Sequence, residues 1–156
     1  RTLPENEVYS ELILDLRCDL PDLPSPACPE NIRFGRYQGS MAALREAVAL
    51  VDEDWVQYFN EEDACFCAFD GEKIVAFCSI SSMGTVDGLP VSGPGCVGTI
   101  PAYRQQGIGL KLVQLATEEI KKDGYALSWI HYTHLAKWYM KLGYQPVLRW
   151  NCNGFL

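Results

Sequence analysis

The sequence has no long apolar run. Its longest are a few residues, such as Val48-Ala49-Leu50-Val51, against the ~20 a helix needs to cross a bilayer. It lacks the cationic, apolar and small-residue succession of a secretory signal. The chain begins at Arg1 rather than Met, so the natural N-terminus is expected to lie upstream. Basic residues are in deficit: 13 Lys and Arg stand against 20 Asp and Glu, a formal net charge of −7. That balance argues against general nucleic-acid binding, which depends on neutralising phosphates. The cysteines are odd in number (Cys18, Cys28, Cys65, Cys67, Cys78, Cys96 and Cys152). An odd set argues against a closed disulfide framework and for a reducing, cytoplasmic compartment.

What remains is an ordinary globular composition, 48% hydrophobic and 21% charged over 156 residues, which is one domain's worth of chain. The charge is unevenly spread. Residues 1–100 carry 6 Lys and Arg against 17 Asp and Glu, whereas residues 101–156 carry 7 against 3. The basic final third can hold a small anion, and the acidic remainder can attract a cationic ligand.

Residues 1–30 stand apart. A strand from Val8 to Leu16 runs into a stretch with Pro21, Pro24, Pro26 and Pro29, and prolines without backbone donors make an extended linker or wrapping arm. The remaining domain is expected over 31–156. Ile32–Tyr37 reads as a strand. Ser40 is a helix N-cap, followed by Met41, Leu44, Val48 and Val51 at helical spacing. Trp55–Phe59 is a short second helix. Ala64–Phe69 and Ile74–Ser81 form a hairpin around Asp70-Gly71. A glycine-rich loop spans Gly84–Gly95, and Cys96–Ile100 is a strand stopped by Pro101. Ile108, Leu112, Leu115, Ala116 and Ile120 make the clearest helical stripe, closed by Asp123-Gly124. Ala126–Tyr132 is a strand. Leu135, Trp138, Tyr139 and Leu142 mark a two-turn helix, and Tyr144–Asn151 is the last strand. The order predicts a mixed α/β fold, with a mostly antiparallel central sheet flanked by helices.

The chemistry concentrates at Arg104-Gln105-Gln106-Gly107-Ile108-Gly109, between a strand end and a strong helix. The first turn of a helix offers unpaired N–H groups and a partial positive charge. Glycines at alternate positions let a bulky anion approach those groups. The spacing matches neither a P-loop, since Leu110-Lys111-Leu112 supplies no Gly-Lys-Ser/Thr, nor a dinucleotide fingerprint, since position 112 is Leu. The glycines otherwise serve only to pack the helix tightly on a sheet.

In context, Val97 to Gly109 resembles the acetyl-CoA-binding segment of the GNAT superfamily of N-acetyltransferases, whose Arg/Gln-x-x-Gly-x-Gly/Ala signature is filled by Arg104, Gly107 and Gly109. Ala136 to Tyr144 resembles the family's second segment, a short helix with Tyr139 four residues before Gly143-Tyr144. The resemblance covers residues 31–150. It implies a GNAT-like acyl-CoA N-acyltransferase fold, with acetyl-CoA as co-substrate and no metal. It further implies that the amides of Gln105, Gln106, Gly107, Ile108, Gly109 and Leu110 hold the pyrophosphate. Val97, Gly98 and Thr99 would pair with the pantetheine arm and supply an oxyanion donor. Tyr139 would protonate the departing thiolate. The acceptor implied is a primary amine of a small molecule or peptide, with no nucleic acid or membrane as partner and a homodimer left open.

The general base is the unfilled role, because Gly95-Cys96-Val97-Gly98-Thr99-Ile100 contains no carboxylate. Asp52, Glu53, Asp54 and Asp87 are candidates, against their reading as a solvated charge run and a turn residue. His131 and His134 flank a strand end as bases or as packing residues. Cys65 and Cys67, with Cys78, are a potential metal set or core thiols, and Cys96 a nucleophile or a core thiol. A non-catalytic CoA-binding regulatory module with the same fold is the rival reading, as is a domain cut from a larger protein with residues 1–30 as its linker.

Overall fold

The computed structural model describes residues 8–151 and 153–155. Residues 1–7 at the head of the expected arm, and Cys152, lie outside the described residues.

A four-stranded antiparallel sheet holds β2 (Ile32–Arg36), β3 (Cys65–Asp70), β4 (Lys73–Ser79) and β7 (Gly95–Thr99), in that spatial order. Helix α1 (Met41–Ala49) covers one face and α2 (Ile108–Lys122) the other. Because side chains alternate along a strand, Cys65, Cys67, Phe69 and Phe77 meet Leu44 and Val48 of α1. Phe66, Ala68, Ala76 and Cys78 meet Ile108, Leu112, Ala116 and Ile120 of α2. Burial on both faces is why β3 and β4 read as near-continuous apolar runs. The N-cap of α1 is Ser40, whose Oγ accepts from Ala43 N at 3.1 Å, a contact worth ~1 kcal/mol. The expected second helix is a 3-10 turn over Glu53–Tyr58, N-capped by Asp52.

The other sheet runs β10 (Gly154–Phe155), β9 (Gln145–Asn151), β1 (Tyr9–Asp15), β8 (Leu127–Thr133), β6 (Leu89–Ser92), β5 (Thr85–Val86). Strand β1 is not at an edge: it lies between β8 and β9, antiparallel to both. Its Leu12 and Leu14 share a core with Ile32, α2 and Tyr144. The stretch expected as a glycine-rich loop contains the β5–β6 hairpin, and β6 pairs in parallel with β8 through Val91 and Ser92. A long-range pairing of this kind leaves no local pattern to read. Helix α3 (Ala136–Met140) is shorter than the expected two turns.

The residues after β1 wrap along α2. Lys111 Nζ donates to Ser25 Oγ at 2.5 Å, and Lys121 Nζ donates to the carbonyls of Leu16, at 2.8 Å, and Cys18. Among the described residues no helix is long and apolar enough to cross a membrane.

The buried thiols give the fold a pH dependence. Burial pushes the Cys65 thiol up to about 11, and Cys67 and Cys78 further in the same direction, from an ordinary 9.0. A thiol that stays protonated in the folded chain but ionises in the unfolded one stabilises the fold fully below its unfolded value. That contribution is lost as pH rises through the folded one. The urea midpoint is therefore expected to fall between pH ~8 and ~10.5. Cys78→Ala should flatten that slope, and an equally steep slope in this variant would refute the cause.

Candidate active site

Strands β6 and β7 are one length of chain that changes sheets. At Gly93 it presses on β8: a Cβ there would stand 1.9 Å from the Trp129 carbonyl oxygen. Beyond Gly93 the chain leaves β8 and joins β4, so the two sheets splay. The β4–β7 ladder then carries a bulge. Gly98 faces Phe77 and Gly95 faces Ser79, which sets Cys96 and Val97 together opposite Cys78. Cys96 takes a left-handed φ of 47°. A bulge leaves its extra residue out of the ladder, and this one brings Cys96 and Val97 to the gap between the sheets.

Two clefts meet at this bulge. The first, about 540 Å³, lies between β7, the start of α2 and α3. Its walls include Val97, Gly98, Thr99, Arg104, Gln105, Gly107, Ile108, Gly109 and Leu110, and Tyr139. Of the residues expected at a cofactor site, Gln106 alone is absent from the wall; it is exposed. Gly107 is the N-cap of α2, with φ +80° and no side-chain cap, so the first amides of α2 are open to the cleft. A Cβ on Gly109 would stand 2.9 Å from Thr99 Oγ1 and 3.5 Å from the Trp138 ring; its hydrogen keeps the passage between β7 and α3 clear. Arg104 Nε donates to the Thr99 carbonyl at 3.0 Å, bracing the end of β7.

Tyr139 reaches the same cleft from α3 while 6% exposed. It packs edge-on against Trp138 and Tyr144, at centroid distances of 4.9 and 6.2 Å. Burial, helped by the Cys78 thiol and the Tyr144 and Cys96 groups, raises its hydroxyl above the ordinary 10.0, so it stays a neutral donor well past neutral pH. Trp55, Trp138 and Lys141 also line this cleft. Sequence alone does not mark these three, since a Trp at helical spacing looks like core and a lone Lys like surface.

The second cleft, about 490 Å³, opens on the far side of the bulge between Trp55, Tyr58, Cys96, Trp129, His131 and Tyr132, with the hydroxyls of Ser79, Ser81 and Ser82. The clefts share Trp55. A larger hollow of about 650 Å³ by Tyr37, Arg45 and Asp63 is remote from both; Arg45 there is spent on the Phe59 carbonyl and Asn60 Oδ1.

The carboxylates weighed from sequence do not gather here. Asp52 Oδ1 accepts from Asp54 N at 2.9 Å as a turn cap. Glu53 and Asp54 are exposed, and Asp87 sits in the β5–β6 turn with φ 50°. None of the four lines either cleft. His134 is an exposed edge-on neighbour of Tyr9, at 6.4 Å. Cys65 and Cys67 face α1 while Cys78 faces α2, so the three thiols cannot converge. Among the described residues no group of His, Cys, Asp or Glu is arranged to hold a metal ion. Burial raises the Cys96 thiol, with the charge of Asp52 adding to it, which keeps it a poor nucleophile.

A splayed strand pair over an uncapped helix start defines an acyl-CoA acyltransferase fold. The chain belongs to the GNAT family: residues 61–146 match the family model described as an acetyltransferase (GNAT) domain. Three solved structures share the architecture. A GCN5-related glucosamine N-acetyltransferase region of a fungal multi-domain GH3 β-N-acetylglucosaminidase matches with a TM-score of 0.71 at 19% identity, over 92% of this chain and 20% of the other. A GCN5-related N-acetyltransferase from Sphaerobacter thermophilus matches at 0.66 and 19%, over 91% and 49%. One from Kribbella flavida matches at 0.62 and 23%, over 89% and 54%. The chain thus spans less than two thirds of each of these longer proteins. No curated protein matches it in sequence.

Proposed function

We propose that the chain is an acetyl-CoA-dependent N-acetyltransferase that moves an acetyl group to a primary amine of a small molecule or peptide. The observation that carries this is one cleft holding three things: open amides at the start of α2, a bulged strand end at Cys96–Val97, and a buried neutral Tyr139 hydroxyl. Phosphates fit the α2 amides because helix N-termini favour anions and Gly107 and Gly109 keep side chains away. The pantetheine arm runs along Val97, Gly98 and Thr99, and a backbone amide of the bulge faces the thioester carbonyl. As the amine attacks, that amide stabilises the charge on oxygen, and Tyr139 donates to the sulfur as it leaves. The second cleft, on the other side of the same bulge, receives the acceptor.

The fungal relative's glucosamine acceptor puts amino sugars first in an acceptor panel, followed by polyamines and peptide N-termini. Free thiol release from acetyl-CoA with this panel tests the reading. CoA binding with no acetyl transfer to any amine would favour a non-catalytic module instead. Affinity for CoA is expected to fall with added salt, because part of it is attraction to cations screened over a Debye length of ~10 Å at 0.1 M. Arg104→Ala should lower both the affinity and that salt dependence, measured by calorimetry; a wild-type affinity independent of salt would assign the phosphates to backbone amides alone.

A further inference from the structure

The base that the strand sequence lacks has a counterpart in the second cleft. Strand β1 pairs with β8 through Ser10–Thr133 and Leu12–Ile130, leaving Glu11 alone opposite both His131 and Tyr132. Tyr132 takes a left-handed φ of 51° there. Glu11, its side chain 9% exposed, spans this bulge with its carboxylate. Its Oε2 accepts from Tyr132 N at 2.7 Å, and its Oε1 is hydrogen-bonded to His131 Nδ1. Both oxygens are engaged, so the carboxylate is fixed. A carboxylate against Nδ1 makes that nitrogen the protonated one and leaves the lone pair on Nε2. His131 itself lines the acceptor cleft, across from Cys96 of the β7 bulge, and its side chain is 66% exposed.

We infer that His131 is the general base of the acetyl transfer and Glu11 its positioning residue; this rests on the acetyltransferase reading above. Nε2 takes one proton from the incoming ammonium and passes it to solvent through its exposed edge. The neutral amine's lone pair then forms the C–N bond to the acetyl carbon. The C–S bond breaks with its electron pair on sulfur. The nitrogen sheds its second proton, the sulfur receives one from Tyr139, and Tyr139 is reprotonated. The products are an amide and a thiol, with one proton released overall. The titratable groups that line this cleft with His131 are Tyr58 from the 3-10 turn, Cys96 from β7 and Tyr132 on its own strand; behind them stand Tyr9 of β1, stacked on Tyr132, and Asp52, whose charge reaches Cys96, and Glu11 is the hydrogen-bonded charged partner. Glu11 lies outside the family-matched residues 61–146, so the pair depends on a strand that the matched segment does not contain.

A purely structural role, in which Glu11 only satisfies the Tyr132 amide, predicts different results. The test uses the full chain, acetyl-CoA and the best amine of the panel. His131→Gln is expected to lower kcat ~10²–10⁴-fold with CoA affinity unchanged, and to abolish the acidic limb of the kcat/KM–pH profile. Added imidazole should restore part of the turnover of His131→Gly. Glu11→Gln keeps an acceptor for the Tyr132 amide and should lower kcat by a smaller factor with KM for acetyl-CoA unchanged, at wild-type Tm. A His131→Gln enzyme with wild-type kcat and an intact acidic limb overturns the assignment. A wild type that binds CoA but acetylates no amine overturns the transferase reading and this assignment with it.

Discussion

Tyr139→Phe is expected to fold normally, to bind CoA as the wild type does, and to lose ~10²–10⁴-fold in turnover, the usual contribution of one positioned acid. The substitution keeps the ring that packs on Trp138 and Tyr144 and removes only the hydroxyl. That hydroxyl is held neutral by burial, so it keeps its proton until negative charge develops on sulfur, which is when a donor stabilises the transition state more than the ground state. The comparison should be made by rapid quench under single-turnover conditions, so that product release does not mask the chemical step. Full turnover in the Phe enzyme would make Tyr139 a core aromatic and nothing more.

The largest expected effect on binding is at Gly109. A Gly109→Val chain should bind CoA at least ~100-fold more weakly, ~2.8 kcal/mol at 1.4 kcal/mol per tenfold. The new side chain would enter the strip between Thr99 and Trp138, in front of the amides at the start of α2. Its nearest neighbour is the movable Thr99 hydroxyl, so the fold should survive. Gly107 would be a poorer probe. A Cβ there would stand 1.9 Å from the Ala27 backbone oxygen at a φ of +80°, so its substitution disturbs the wrapping segment as well as the cleft. Calorimetry alongside a thermal melt separates the two variants. Undiminished affinity in Gly109→Val would remove the pyrophosphate from the start of α2.

The parts of this molecule that sequence makes visible are the local ones. The apolar stripe of α2, the Asp123-Gly124 pair that closes it and the hairpin around Asp70-Gly71 follow from neighbours within a turn or two, and they form as expected, although Leu115 is only half-buried and Val113 takes its place in the core. The first cleft is legible for the same reason: most of its wall comes from one continuous run, Val97 to Leu110. The second cleft is assembled from the 3-10 turn, the end of β4 and the residues after it, the link from β6 to β7, β7 itself and β8, and no window of sequence contains it. His131 was visible as a candidate, but the residue that distinguishes it from His134 was not. Glu11 looks like any acidic residue in a strand until β1 is seen beside β8. The strand β6 was hidden likewise, because its partner lies across α2.

The position of β1 also dictates an order of events in the making of the protein. It is made before α2, yet its neighbours β8 and β9 are made after it, and Glu11 meets His131 across 120 positions of chain. Contacts between distant residues form slowly because they close long loops before gaining anything. The β2–β4 sheet with α1 depends on near neighbours and can assemble while the rest is still being synthesised. Until β8 and β9 have been made β1 has two unpaired edges, the arrangement most open to pairing with another nascent chain. The two clefts are therefore completed together, when β8 and β9 dock on β1. A chain terminated after α2 would retain the amides at the helix start but neither His131 nor Tyr139.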